Sequence, residues 1–281
     1  MGVIDIHIHI QPLWQMKPKA LERMREGHRD FEDLMSVMKD PERLLRILDS
    51  SEVEKAGLIN YVSPDVMGFT DEVNDFVIDY AKGRRDRLIP FGSLHPRFSK
   101  DPTGEMDRLI HKLGIQGIKI HPPHQLFYPN DYRNGVTALE IIYQKAEDAG
   151  IPVMFHTGTS VFPGARIKYG DPVYIDDVAI DFPRLAIILA HGGRPLWMDT
   201  CFFLVRRHPN VFMDISGIPP KRLLDYFPRL EEIAHKTLFG SDWPGPMVKS
   251  IQENIEVFKS LSISEEAKKN ILRETALKIF G

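Results

Sequence analysis

The chain alternates between charged amphipathic stretches and short apolar runs, and this alternation constrains its fold more than any other feature. Residues 41 to 55, with Leu44, Leu45, Ile47 and Leu48 on one face, predict a helix, followed by Gly57 and the apolar run Leu58 to Val62. The unit then recurs: helix 71–83 before strand 88–94, 104–113 before 115–121, 136–149 before 151–156, 173–182 before 185–190, 195–208 before 211–215, and 222–235 before 237–241. With an opening strand over Val3 to His9, eight strands result. Helices at 249–260 and 264–279 close the chain, the second opened by a Ser262, Glu265 capping pair. Strands that read as unbroken apolar runs are buried on both faces, which is the pattern of a parallel sheet. Eight such units in 281 residues predict an α/β fold, a closed (β/α)8 TIM barrel in a single domain over 1–281. One segment does not fit the repeat. Residues 11–39 mix Pro12, Trp14, Pro18 and four methionines with many charges, too long for a simple connector, and read as an insertion after strand 1 serving as a lid or a dimer contact.

The opening strand carries the first chemistry. Strict alternation along Val3-Ile4-Asp5-Ile6-His7-Ile8-His9 places Asp5, His7 and His9 on one face and Ile4, Ile6 and Ile8 on the other. Two imidazoles facing a protein interior need partners, and a pair at i, i+2 on a rigid strand can grip one metal ion or hydrogen-bond without one. The remaining unusual polar residues fall at the ends of later strands: Lys119 and His121 after strand 4, His156 after strand 5, His191 after strand 6, and Asp242 after strand 8. In a barrel those ends converge on one mouth, where such enzymes build their sites. Several histidines and a carboxylate meeting there form a divalent-metal constellation, for which zinc is the leading choice.

These motifs, Asp5-Ile6-His7-Ile8-His9, Gly117-Ile118-Lys119-Ile120-His121-Pro122, Phe155-His156-Thr157-Gly158, Leu189-Ala190-His191-Gly192-Gly193 and Leu238-Phe239-Gly240-Ser241-Asp242-Trp243-Pro244, occur in order along nearly the whole chain. The chain resembles the amidohydrolase superfamily, and within it the amidohydrolase-related branch that includes aminocarboxymuconate-semialdehyde decarboxylase. The resemblance implies a distorted barrel in which His7, His9, His156 and Asp242 bind a catalytic divalent metal and His191 is the polar catalyst beside it. Lys119 stands where some superfamily members carry a carboxylated lysine bridging two metals. The branch generally works with one metal, so the expectation is one metal per chain and an unmodified Lys119 that binds the substrate's anionic group. Thr275 occupies a place where relatives usually have Asn.

The expected activity is hydrolysis of an amide, lactone or ester in a small carboxylated or cyclic metabolite. A bound zinc would bring the pKa of its water from about 15.7 toward 7, making hydroxide at neutral pH. Asp242 would move the proton, and His191 would polarise the scissile carbonyl. The alternatives are non-oxidative decarboxylation of an unsaturated or aromatic acid, and a metal-binding module without turnover. His121 and, on the long loop after strand 5, Arg166 are further candidates for substrate contact. His28, His111, His208 and His235 read as solvated, and His95 as a structural cap. A net charge of -3 provides no basic footprint for nucleic acid or an anionic membrane, and a small-molecule substrate is the better match. Cys201, the single cysteine, suits an inert place in the core and a reducing compartment. No leader pattern or spanning run is legible, so a cytoplasmic protein is expected, with a homodimer as the assembly considered.

Overall fold

A computed structural model describes residues 2–28, 30–246 and 248–281. The strands are β1 (Val3–His9), β2 (Val53–Ile59), β3 (Leu88–Gly92), β4 (Gly117–Ile120), β5 (Val153–His156), β6 (Ile187–Ala190), β7 (Val211–Asp214) and β8 (Thr237–Leu238). Each pairs in parallel with the next, in the order β1 to β8. Closure comes from backbone bonds beyond the β8 ladder: Ile6 N donates to Phe239 O at 3.1 Å, Asp242 N to His7 O at 2.9 Å, and His9 N to Trp243 O at 2.7 Å. The result is the (β/α)8 barrel that the alternation predicts.

The helices are α1 (Pro18–Glu26), α2 (Phe31–Lys39), α3 (Pro41–Ser50), α4 (Glu72–Ala81), α5 (Pro102–Asp107), α6 (Pro122–Gln125), α7 (Thr137–Ala149), α8 (Ile175–Asp181), α9 (Met198–Arg207), α10 (Leu223–Tyr226), α11 (Ile251–Lys259), α12 (Glu265–Lys269) and α13 (Thr275–Phe280). Their apolar faces pack on the outside of the sheet; Leu44 and Leu48 of α3 are fully buried. Differences from the sequence pattern have local causes. The helix expected over 41–55 stops at Ser50, because Glu52 turns the chain with a left-handed φ of 58° and starts β2 at Val53, earlier than its apolar run suggests. Glu54 and Lys55 are only partly buried, so that half of the strand carries no apolar signal. Pro228 divides the helix expected over 222–235 into α10 and a 3-10 stretch over Leu230–Lys236. The closing helix is interrupted by a π-helical turn at Asn270–Glu274, and its cap is Ser264, which accepts from Ala267 N, rather than Ser262. Thr275 donates its hydroxyl to Ala234 O at 3.3 Å.

The alternation expected along β1 is broken. Its register against β2 shifts between Asp5 and Ile8. Ile4 and Ile6 join the barrel's inner cluster with Ile89, Phe91, Met154, Ile188 and Leu238, whereas Ile8 packs with the outer cluster. The irregularity therefore turns Ile4 and Ile6 inward near the base and still delivers His7 and His9 to the interior above them. Ala276 belongs to the same inner cluster, and Leu277, Ile279 and Phe280 pack against it, so the last helix covers the barrel base. At the other end, the segment over 11–39 is partly helical, and its α1 sends Arg23 and Met24 to the mouth.

Asp5 holds the irregular seam. Its Oδ1 accepts from His7 N at 3.1 Å and from Ser241 N at 3.0 Å, with no exposure to solvent. Asp5→Ala leaves both buried N–H groups without an acceptor and is expected to cost about 2–4 kcal/mol, with Asp5→Asn much milder because its side-chain oxygen still accepts. A comparison of thermal unfolding for the two variants checks this, and equal losses would remove Asp5 from the seam.

Candidate metal centre

His7 is wholly buried at the inner face of β1, and its two ring nitrogens have separate fates. Nδ1 lies 2.8 Å from Asp214 Oδ2, and an ionised carboxylate can only accept, so Nδ1 carries the proton. Nε2 is then a lone pair, buried and without a hydrogen-bond partner. It faces Asp242 Oδ1 at 3.6 Å, and His9 Nε2 lies 3.1 Å from the same oxygen. Among the described residues these three donor atoms form one group within 4.8 Å of each other. Ligands held about 2.0–2.2 Å from one divalent ion stand at comparable mutual distances. Two imidazoles and a carboxylate, one nitrogen orphaned until something accepts its lone pair, are a set that fits a divalent metal.

Asp214 completes the imidazole geometry from behind. Its Oδ1 accepts from His191 N at 3.0 Å and Ser216 N at 2.9 Å, and also from the Ser216 hydroxyl. Burial works against its charge, but the interaction with His7, the nearby Lys119 ammonium and the His191 N–H outweigh it and hold the carboxyl down at about 2. An anchored carboxylate on the far nitrogen fixes a ligand's tautomer and orientation. Burial, reinforced by the Lys119 ammonium, lowers His7 to about 4, so the imidazole is neutral as a ligand must be. Sequence pattern alone passes over Asp214, although it ends the seventh apolar run just as His156 ends the fifth.

His191 and Asp242 share a backbone feature. Each follows its strand with a left-handed φ of 67°, unusual for residues with a Cβ and typical of groups held at a site. His191 Nδ1 lies 3.0 Å from Ser216 O and 2.8 Å from Ser216 Oγ. A carbonyl only accepts, so Nδ1 holds the proton and Nε2 keeps a lone pair. Burial is the main cause that drives this imidazole well below its ordinary value. Burial opposes the charge on Asp242 too, but the His9 hydrogen bond and the nearby His7, His9 and Arg194 leave its pKa lowered.

The other predicted site residues are placed less uniformly. His156 lies beside His191, with ring centroids 4.5 Å apart, but it is outside the three-atom group, and its Nε2 donates to Thr159 O at 3.2 Å. His121 stacks on His156 at 3.8 Å and on His124 at 3.6 Å, and all three rings line the mouth. His124 is tied to the Tyr61 hydroxyl at 3.0 Å and to Ser160 Oγ at 2.7 Å. Lys119 is fully buried with no hydrogen-bond partner for Nζ and is not among the residues lining the cavity. Burial lowers its pKa to about 8, against the pull of Asp214 and Asp242. Arg166 is exposed on its loop and also lies outside the cavity wall. In its place the wall carries Arg194, which the sequence pattern did not single out.

Two histidines outside the centre also differ from expectation. His208 is buried and bonds Asp176 at 2.6 Å, and His28 reaches Pro244 O at 2.7 Å, so neither is simply solvated. His111 and His235 are exposed as expected, and His95 caps its turn by accepting from Arg97 N at 3.3 Å. Burial raises the thiol of Cys201 to about 12, in keeping with an inert core position. No helix among the described residues is long and apolar enough to cross a membrane.

A (β/α)8 barrel with imidazoles and a carboxylate converging at the C-terminal strand ends defines a class of barrel enzymes built around a metal centre. The amidohydrolase family model, Amidohydro_2, matches residues 4–281, and the chain belongs to that family. It is 22% identical to the 2-amino-3-carboxymuconate-6-semialdehyde decarboxylase of Dictyostelium discoideum, over 99% of this chain and 91% of that one. It is also 22% identical to the gamma-resorcylate decarboxylase of Rhizobium sp. strain MTP-10005, covering 84% of this chain and 85% of the relative. The fold matches a dihydroxybenzoic acid decarboxylase of Polaromonas sp. JS666, solved with bound manganese and 2-nitroresorcinol, with a TM-score of 0.71, 19% identity and coverage of 99% and 96%. The chain is therefore an enzyme of the amidohydrolase superfamily, whose members bind a divalent metal.

The anchoring of His7 by Asp214 makes a direct prediction. Asp214→Asn should weaken metal retention by about 10–100-fold while the barrel stays folded. Elemental analysis after graded chelator dialysis, with circular dichroism as the folding control, measures it, and unchanged retention would dismiss the anchoring role.

Proposed function

We propose that the protein is a metal-dependent non-oxidative decarboxylase acting on a small aromatic or unsaturated carboxylic acid. The observation that carries this reading is the protonation pattern at the mouth: His191 presents a lone pair at Nε2, held there by Ser216 O, beside the His7, His9 and Asp242 group. A lone pair takes up a proton but cannot donate to an oxyanion. Hydrolysis, the first expectation from the sequence, asks His191 to polarise a carbonyl, and this tautomer does not supply the donor. The cavity, about 280 Å³, is walled on its other sides by Met24, Met67, Phe162, Met198, Ile218 and Tyr226, which suit a flat apolar ring or diene. Two relatives over most of the chain carry decarboxylase names, which supports the same choice.

One metal per chain is proposed, held by His7, His9 and Asp242 with His156 as a fourth donor, and zinc suits that set. When bound, the metal would supply a Lewis acid that binds substrate oxygens and stabilises negative charge. His191 Nε2 takes the proton of a substrate hydroxyl and returns it to the carbon that loses its acid group. The bond from that carbon to the carboxylate breaks, carbon dioxide leaves, the new carbon–hydrogen bond forms with the returned proton, and the product oxygen keeps the negative charge until it takes a proton from water. The stacked His121 and His124 form a flat wall against which the substrate lies.

Metal-loaded protein incubated in water enriched in heavy oxygen with a panel of aromatic and unsaturated mono- and dicarboxylic acids, lactones and cyclic amides tests the reaction. Carbon dioxide with no heavy oxygen in the organic product is the expected result; an organic acid carrying heavy oxygen from water would establish hydrolysis instead. His191→Asn should retain its metal and lose about 10²–10⁴ in kcat.

A further inference from the structure

Two guanidiniums line the mouth. Arg23, on α1, is 42% exposed and already paired with Glu26 at 2.8 Å. Arg194 is held quite differently. It follows Gly192 and Gly193 on the loop after β6, and its carbonyl accepts from Thr159 N at 3.0 Å. A Cβ on Gly158 would lie 2.1 Å from that carbonyl, so the close approach that clamps the loop needs a glycine there. The guanidinium is clamped as well. Nη1 donates to Gly217 O at 2.6 Å, while Nε is buried with no partner. Nη2 stands 4.0 Å from Asp242 Oδ2, beyond hydrogen-bond reach. Gly217, at a φ of 62°, makes this arrangement possible, because a Cβ there would lie 2.6 Å from Asp242 Oδ2 and 3.0 Å from Arg194 Cζ. The side chain is thus fixed beside the proposed metal ligands with most of its five donors unspent.

We infer that Arg194 recognises a second carboxylate, so that the substrate is a dicarboxylic acid. One acid group departs at the His7, His9 and Asp242 end, and the other stays and pairs with the Arg194 guanidinium. This inference rests on the decarboxylation proposed above. A departing carboxylate sheds its negative charge as it becomes carbon dioxide, and a cation gripping it would stabilise the starting state more than the transition state. A fixed guanidinium serves the reaction only on an acid group whose charge persists throughout. Bidentate pairing with a planar carboxylate is the geometry for which arginine is suited, whereas Lys119 is fully buried and is not among the residues lining the cavity.

The test compares calorimetric binding of benzoate and isophthalate, one acid group against two, to metal-loaded wild type, Arg194→Lys and Arg194→Met, with metal content measured on each. Isophthalate should bind at least about tenfold more tightly than benzoate in the wild type. That advantage should shrink in Arg194→Lys and fall to within about twofold in Arg194→Met, with metal content unchanged. An advantage that is absent in wild type, or that survives in Arg194→Met, overturns the assignment. Metal loss in Arg194→Met also overturns it, because Arg194 would then be a support for Asp242. Assaying carbon dioxide release separately keeps the two readings apart: an Arg194-dependent preference for two acid groups without carbon dioxide release would refute decarboxylation and leave the recognition role standing.

Discussion

The site depends on the seam where the first strand meets the last. His7 and His9 lie at one end of the chain and Asp242 near the other, and no local sequence preference brings them together. Backbone bonds from His9 N to Trp243 O and from Asp242 N to His7 O do so, and the Asp5 carboxylate ties both strands by accepting from His7 N and Ser241 N. Because β8 pairs with β7 over only Thr237–Leu238, the stretch after it is free to leave the ladder and follow β1. Gly240 allows this close approach, since a Cβ there would lie 2.7 Å from the Cβ of His7. Barrel closure and assembly of the metal centre are accordingly one event.

Burying so many imidazoles is tolerable because their protons have fixed destinations. His7 donates to Asp214, His191 to Ser216 O and His156 to Thr159 O, each through one nitrogen. Burial keeps all three rings uncharged, which avoids mutual repulsion among rings a few ångströms apart. What remains free at the site is lone-pair character at His7 and His191 and a carboxylate at Asp242, beside the clamped guanidinium of Arg194. The division of labour follows from which atoms the backbone and Asp214 already occupy.

Much of the architecture was legible in the sequence because eight apolar runs separated by amphipathic helices admit few folds. The convergence of His7, His9 and Asp242 followed from strand ends alone, and so did the placing of His121, His156 and His191 at the mouth. The irregularity inside β1 was not legible. A period-two reading assigns Ile4 and Ile6 to the face opposite the histidines, and only the register against β2 reveals that all four point inward. Lys119 and Arg166 illustrate a second limit, since strand position and loop composition do not set how far a side chain travels. Lys119 stays fully buried and outside the cavity wall, and Arg166 turns to solvent. Arg194 was hidden because its significance lies in Gly217 and Gly158, distant in sequence, whose missing side chains make room for it.

The covering of the barrel base by α13 has a consequence for how the chain comes to its structure. The inner cluster holding Ile4 and Ile6 from β1 is completed by Ala276 and covered by Phe280, far along the chain. β1 therefore has neither its neighbour β8 nor its floor until residues far along the chain from it are in place. Contacts of such long sequence separation form late and slowly. The inner cluster around Ile4 and Ile6 therefore stays open, and the edge of β1 toward β8 unpaired, until those distant residues dock.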